Sequence, residues 1–148
     1  ISNIEELFLL LSAANSGMLV FATATGNNTV SLLNRFLDSV PQNLRSSLAA
    51  SFADLLKGII VQHLIPVVGG EGLVLATESM KVSSTIANLL RKEEIAQIPA
   101  ALSSAKGTAI SLDDSLKMLV DSGYIEGVEA WKHAFDARSF ASYRPGRN

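Results

Sequence analysis

The stretch IIVQHLIPVVGGEGLVLATES, residues 59–79, decides the fold class. Two apolar, β-branched runs, 59–68 and 72–79, are separated by Gly69, Gly70 and Glu71. A Gly-Gly turn between runs of this kind predicts a β-hairpin, because glycine alone reaches the positive φ angles of tight hairpin turns at no steric cost. Pro66 cannot donate to a ladder, so it belongs on an edge or close to the turn. His63, within QHLIP, is read as a solvent-facing strand residue.

Working outward, the flanks are helical. Residues 3–16 carry Ile4, Leu7, Phe8, Leu11 and Ala14 at amphipathic spacing, with Asn3 as the cap, Glu6 at the capping-box position and Gly17 as the stop. The run MLVFATA, 18–24, is short, apolar and partly β-branched, and it predicts a buried strand broken by the polar residues 26–29. Val30, Leu33, Leu37 and Val40 set a second helix, and Pro41 opens a third through Leu44, Leu48, Phe52 and Leu55 to Gly58. Beyond the hairpin the helical period returns, with Val82, Ile86, Leu89 and Leu90 on one element and Ile95, Ile98 and Leu102 on the next. Residues 103–108 read as a loop, Ser111 caps a helix closed by Gly123, and 125–135 forms a last helix holding Trp131. The expected organisation is an α/β unit over 1–80, a helical subdomain over 81–137 and a flexible tail over 138–148.

Composition narrows the function classes. The 148 residues carry 12 Lys plus Arg against 14 Asp plus Glu, so the net charge of −2 offers none of the basic excess that a phosphate-backbone surface needs, and nucleic acid is not an expected partner. Cysteine is absent, which removes disulfides, thiolate zinc sites and a Cys nucleophile, and makes a cytoplasmic location the plain expectation. Hydrophobic residues reach 48 % and mean hydropathy is +0.30. No run approaches the length of a membrane span, so the excess points to buried faces or a subunit contact. With Ile1 where an initiator Met would stand, the sequence reads as a piece of something longer.

Motifs for chemistry are sparse. No Gly-Lys dipeptide occurs, so there is no P-loop. His63 and His133 lie apart with no metal-ligand spacing, and no GxSxG elbow supports a triad. The pairs Glu5–Glu6, Glu93–Glu94 and Asp113–Asp114 each fall in the first turn of an expected helix, where the helix dipole favours negative charge, and are read as caps and solvated faces. Trp131 with Phe135 is read as core packing. No catalytic or metal-binding residue is assigned.

Longer segments carry a resemblance. LSAANSGMLVFATAT, 11–25, resembles the run from helix to histidine box, roughly LTAAETGHLVFGTLHT, of the secretion-type P-loop ATPases of the type IV pilus retraction (PilT-like, twitching motility) group. Residues 29–72 resemble the next stretch of that family, with Arg35 and Asp38 on a helix, a Pro, then a helix leading into a strand with Gln62 and a Gly-Gly turn. TIANLLRKEEIAQI, 85–98, is similar to the AIRNLIRE segment, and SLDDSLKMLVDSGYIE, 111–126, to the closing helices with their Leu-Asp pair, here Leu112 and Asp113.

The resemblance implies the C-terminal portion of a RecA-like P-loop ATPase core followed by a helical subdomain. It implies a hexameric ring motor, cytoplasmic and peripheral to the inner membrane, using ATP and Mg to drive pilin extraction through the pilus platform. The Walker A and Walker B loops would lie ahead of Ile1. The Met-Arg-Asp triplet after the Walker B glutamate corresponds to Ile1, Ser2 and Asn3; the histidine of the box falls on Thr25, with Ala22 and Gly26 beside it. In the AIRNLIRE segment the first Arg is Ala87 and the final Glu is Lys92, whereas Asn88, Leu89 and Arg91 remain. Phosphoryl transfer depends on positioning and charge stabilisation, so these departures remove catalytic contacts while sparing the apolar pattern. Asn3 and Thr25 are the expected nucleotide contacts, and Asn88, Leu89, Leu90 and Arg91 the expected coupling face. Three readings compete: a motor subunit, a non-catalytic paralog or adaptor that joins or regulates a ring, and an unrelated α/β domain.

Overall fold

In the computed structural model, residues 1, 3–104 and 109–145 are described. The hairpin forms as the sequence predicts: β1 (Gly58–Pro66) pairs antiparallel with β2 (Leu73–Lys81), from Gly58 opposite Lys81 to Pro66 opposite Leu73. Pro66 is the last residue of its strand, where its missing N–H costs no ladder bond. The turn uses φ of +87° at Gly69 and +79° at Gly70, angles a side chain at either position would strain. A short third strand, β3 (Ala109–Ile110), adds to the far side of β2 and was not foreseen; two residues are too few to leave a periodicity. The expected loop over 103–108 falls partly outside the described residues, and helix α5 runs through Ser104.

Helices α1 (Ile4–Asn15), α2 (Thr29–Asp38) and α3 (Gln42–Leu55) precede the hairpin; α4 (Ser84–Arg91), a 3-10 turn (Ile95–Gln97), α5 (Ile98–Ser104), α6 (Leu112–Asp121) and α7 (Gly127–His133) follow it. Their starts are set chemically. Asn3 Oδ1 accepts from Glu6 N at 2.8 Å, Asn28 Oδ1 from Ser31 N at 2.8 Å, and Ser111 Oγ from Asp114 N at 3.0 Å, each satisfying an orphan first-turn amide. Glu5, Glu6, Asp113 and Asp114 occupy first turns as expected. Glu93 and Glu94 do not: they form the reversal after α4, with Glu93 at φ +59°.

Residues 18–24 are extended and unpaired among the described residues. A strand exists through its neighbour's hydrogen bonds, and among the described residues this run has no ladder partner; the Ile1 nitrogen donates to the Thr23 carbonyl. The run is not buried either: Leu19 is 79 % exposed and Phe21 89 %.

The apolar side chains gather into two clusters that share the hairpin. In the register of β1 and β2, the inner face reads Ile59 and Met80, then Val61 and Glu78, then His63 and Ala76, then Ile65 and Val74. Met80 joins the first cluster with Leu33, Leu37, Phe52, Ile86 and Leu90. Ile65 and Ala76 join the second, with Leu112, Leu116, Ile125, Ala130 and Phe140. The first cluster runs on through Ile98, so packing does not divide at residue 80. His63 corrects an expectation: it is half-buried on the inner face, while Ile60 and Leu64 point outward and are exposed.

The described part of the expected tail, 138–145, is built into the fold. Residues Ala137–Tyr143 form a 3-10 helix that drops Phe140, 4 % exposed, into the second cluster. Asp113 fastens it, accepting from Phe135 N at 2.7 Å and Asp136 N at 2.9 Å. Trp131 packs against the same cluster as expected, whereas Phe135 is exposed.

Candidate functional site

Thr25 stands at the end of the extended run and leads into the loop 26–29, which opens α2. Its side chain is exposed, but the three residues that begin the helix are each held. Asn27 offers its carbonyl to His63 Nε2 at 2.9 Å, so that ring nitrogen carries the proton and donates. Asn28 exchanges bonds with Ser31 in a capping box. Thr29 N donates to Glu78 Oε1 at 2.9 Å, a carboxylate set against the positive end of α2. His63 and Glu78 come from adjacent strands and lie diagonally on one face, since His63 faces Ala76, two residues before Glu78.

Neither residue was expected to matter. Both phases of β1 are apolar, so alternation could not tell which face His63 occupies; the polar pair Val61–Glu78 and His63–Ala76 lying between two apolar ends was the one legible hint, and it needs the register to be seen.

Asn3, the other expected nucleotide contact, is exposed and caps α1. Of the expected coupling face, Leu90 is core and Leu89 packs against it. Asn88 and Arg91 lie on the surface, where Arg91 bonds to Asp54 of α3 at 2.5 Å and more weakly to Asn88 at 3.4 Å. The face therefore sits on the seam of α3 and α4, remote in sequence from Thr25.

Beside the loop 26–29 opens a cavity of about 560 Å³ lined by Thr29, Glu78, Asp113, Asp114 and Asp136 among others. Four carboxylates line it, with no Lys or Arg among its described walls, so it repels a polyphosphate rather than cradling one. Asp136 is held below the usual carboxylate range by the side-chain bond from Arg138 and then by the Arg138 backbone N–H, and keeps its charge. Among the described residues no group of His, Asp or Glu is arranged to hold a metal ion, and no helix is long and apolar enough to cross a membrane. The arrangement ties the loop that follows Thr25 to the inner face of the hairpin.

Comparison with known proteins gives this geometry its context. No family model matches the chain. It is 32 % identical over 133 residues to the type IV pilus retraction ATPase PilT of Pseudomonas aeruginosa, covering 89 % of this chain and 38 % of that protein. It is 28 % identical over 138 residues to a twitching motility protein of Neisseria gonorrhoeae, covering 93 % of this chain and 37 % of the other. The chain thus spans little more than a third of the length of these relatives. Among solved structures, the pilus retraction motor PilT with bound ADP superposes with a TM-score of 0.83 at 28 % identity, covering 94 % of this chain and 39 % of that one. The mixed α/β architecture built around the hairpin is that of the C-terminal portion of such an ATPase. Sequence and fold agree over about nine-tenths of its length, and the chain is a homologue of the C-terminal part of the PilT-like pilus and secretion ATPases.

Proposed function

We propose that this chain is the C-terminal motor subdomain of a ring ATPase that couples ATP binding and hydrolysis to type IV pilus retraction. The observation that carries this reading is the agreement in fold, over 94 % of the chain, with a retraction motor that holds ADP. In this reading the parent assembles as a hexamer, works on the cytoplasmic side of the inner membrane against the pilus platform, and binds ATP with Mg through Walker loops contributed by other parts of the protein. Thr25 and Asn3 face the nucleotide. Asn88 and Arg91, on the α3–α4 seam, pass its state onward, with Leu89 and Leu90 holding that helix in register. Residues 1–80 serve as the end of the ATPase core and 81–137 as the helical part that moves with it.

One observation favours a second reading, a ring component that no longer hydrolyses ATP. Thr25 stands where the resembled family has the histidine of its box, and a threonine hydroxyl cannot supply a cationic contact to a developing phosphate charge. The two readings separate on ATP turnover by the full-length parent beside Thr25→His. Steady hydrolysis in the parent, changed less than about threefold by Thr25→His, is the result expected of a motor. Binding of ATP without hydrolysis, with turnover recovered by at least about tenfold in Thr25→His, overturns the motor reading and establishes the inactive ring component.

A further inference from the structure

We propose that Glu78 and His63 act together as a positioning clamp that sets where Thr25 stands relative to the hairpin, and so the rate of turnover in the parent. The proposal rests on the ATPase reading above and adds two residues to it. Among the described residues, the extended run from Leu19 to Gly26 pairs with no strand. Beyond Gly26 the path is fixed by side chains. Glu78 reaches across 49 residues of sequence and His63 across 36 to the two ends of a three-residue loop, while Asn28 between them is occupied with Ser31.

The chemistry of the pair is complementary. A carboxylate accepts the first amide of a ten-residue helix, where the dipole favours it, and an imidazole N–H donates to the carbonyl two residues earlier. Glu78 meets an amide that the helix start leaves unsatisfied, and His63 ties down the carbonyl just ahead of the cap. The two side chains also sit where the sheet's inner face passes from one apolar cluster to the other, and so join the loop to the middle of the hairpin. Both side chains bond to backbone of the loop, and the cavity beside Glu78 is lined by carboxylates, so their role toward Thr25 is one of position. Loss of the clamp should therefore lower kcat and leave KM little changed, the signature of a positioning residue.

The test uses the full-length parent, with steady-state ATP hydrolysis and amide hydrogen exchange of residues 27–31 measured on the same variants. Glu78→Ala is expected to speed exchange at Thr29 and lower kcat about tenfold with KM within about twofold; Glu78→Gln, whose amide oxygen still accepts, is expected to stay near wild type in both. His63→Ala against His63→Gln repeats the comparison from the other strand, and decides the matter should Glu78→Ala fail to fold. Faster exchange with kcat unchanged overturns the positioning role. Unchanged exchange in both alanine variants overturns the clamp itself. A wild-type parent that hydrolyses no ATP overturns the ATPase reading and the effect on turnover with it, and the exchange data still decide whether the loop is held by these two side chains.

Discussion

Replacing Leu90 by alanine is expected to destabilise the fold by about 3–4 kcal/mol, lowering the melting temperature by roughly 10 °C. Leu90 is 1 % exposed and lies in the cluster where α4 meets α3 and the Met80 end of β2. Removing three carbons there forfeits the burial of the side chain and leaves a cavity that neighbouring helices can only partly close. The consequence bears on function, because Leu90 belongs to the face assigned to coupling. An assay on Leu90→Ala alone would confuse lost packing with lost transmission. Arg91→Ala is the informative companion: its partner Asp54 has a side chain 62 % exposed, and an ion pair so placed contributes about 0–1 kcal/mol. Chemical denaturation should show a large loss for Leu90→Ala and almost none for Arg91→Ala. Near-equal losses would mean that the α3–α4 seam is held by its surface charges.

Ile65→Ala is expected to cost about as much, 2–5 kcal/mol, for a different set of neighbours. Ile65 is fully buried at the Pro66 end of β1, where α6 and Phe140 of the 3-10 helix close over it. Its loss removes the floor on which those elements rest. The two substitutions together probe the organisation of the chain. The clusters have no member in common yet both rest on the hairpin, so a single cooperative transition is expected, with the double variant losing the sum of the single effects to within about 0.5 kcal/mol. Two separate transitions, one shifted by each substitution, would show that the two apolar clusters fold as independent units.

Much of this fold was legible in the sequence because the features that carry it are local. The Gly-Gly turn, the caps at Asn3 and Ser111, the stop at Gly123 and the helical spacing around Leu33, Leu48 and Leu90 are each settled by a few neighbouring residues, and each is found in the structure. Apart from the local reversal at Glu93 and Glu94, the misreadings depended on something distant. The run 18–24 has strand composition, but composition cannot supply a hydrogen-bonding neighbour. The 3-10 helix at Ala137–Tyr143 has no periodicity to announce it, and is held because Asp113 and the second cluster receive it. His63 sits on a strand apolar in both phases, so its face was undetermined until the register was fixed. The candidate site was legible only through resemblance: Thr25, Asn3 and Asn88 were reached by matching segments, whereas His63 and Glu78, which hold the loop behind Thr25, come from strands whose pairing alone brings them together.

The unpaired run at 18–24 has a consequence for handling the protein. Seven extended residues with no charge and no proline, Val20, Phe21 and Thr23 of β-prone type among them and most of them facing water, offer another chain a surface for backbone bonds and interlocking side chains. Self-association of this chain in isolation would thus grow with concentration and start from Leu19 and Phe21, with the rest of the molecule still natively folded.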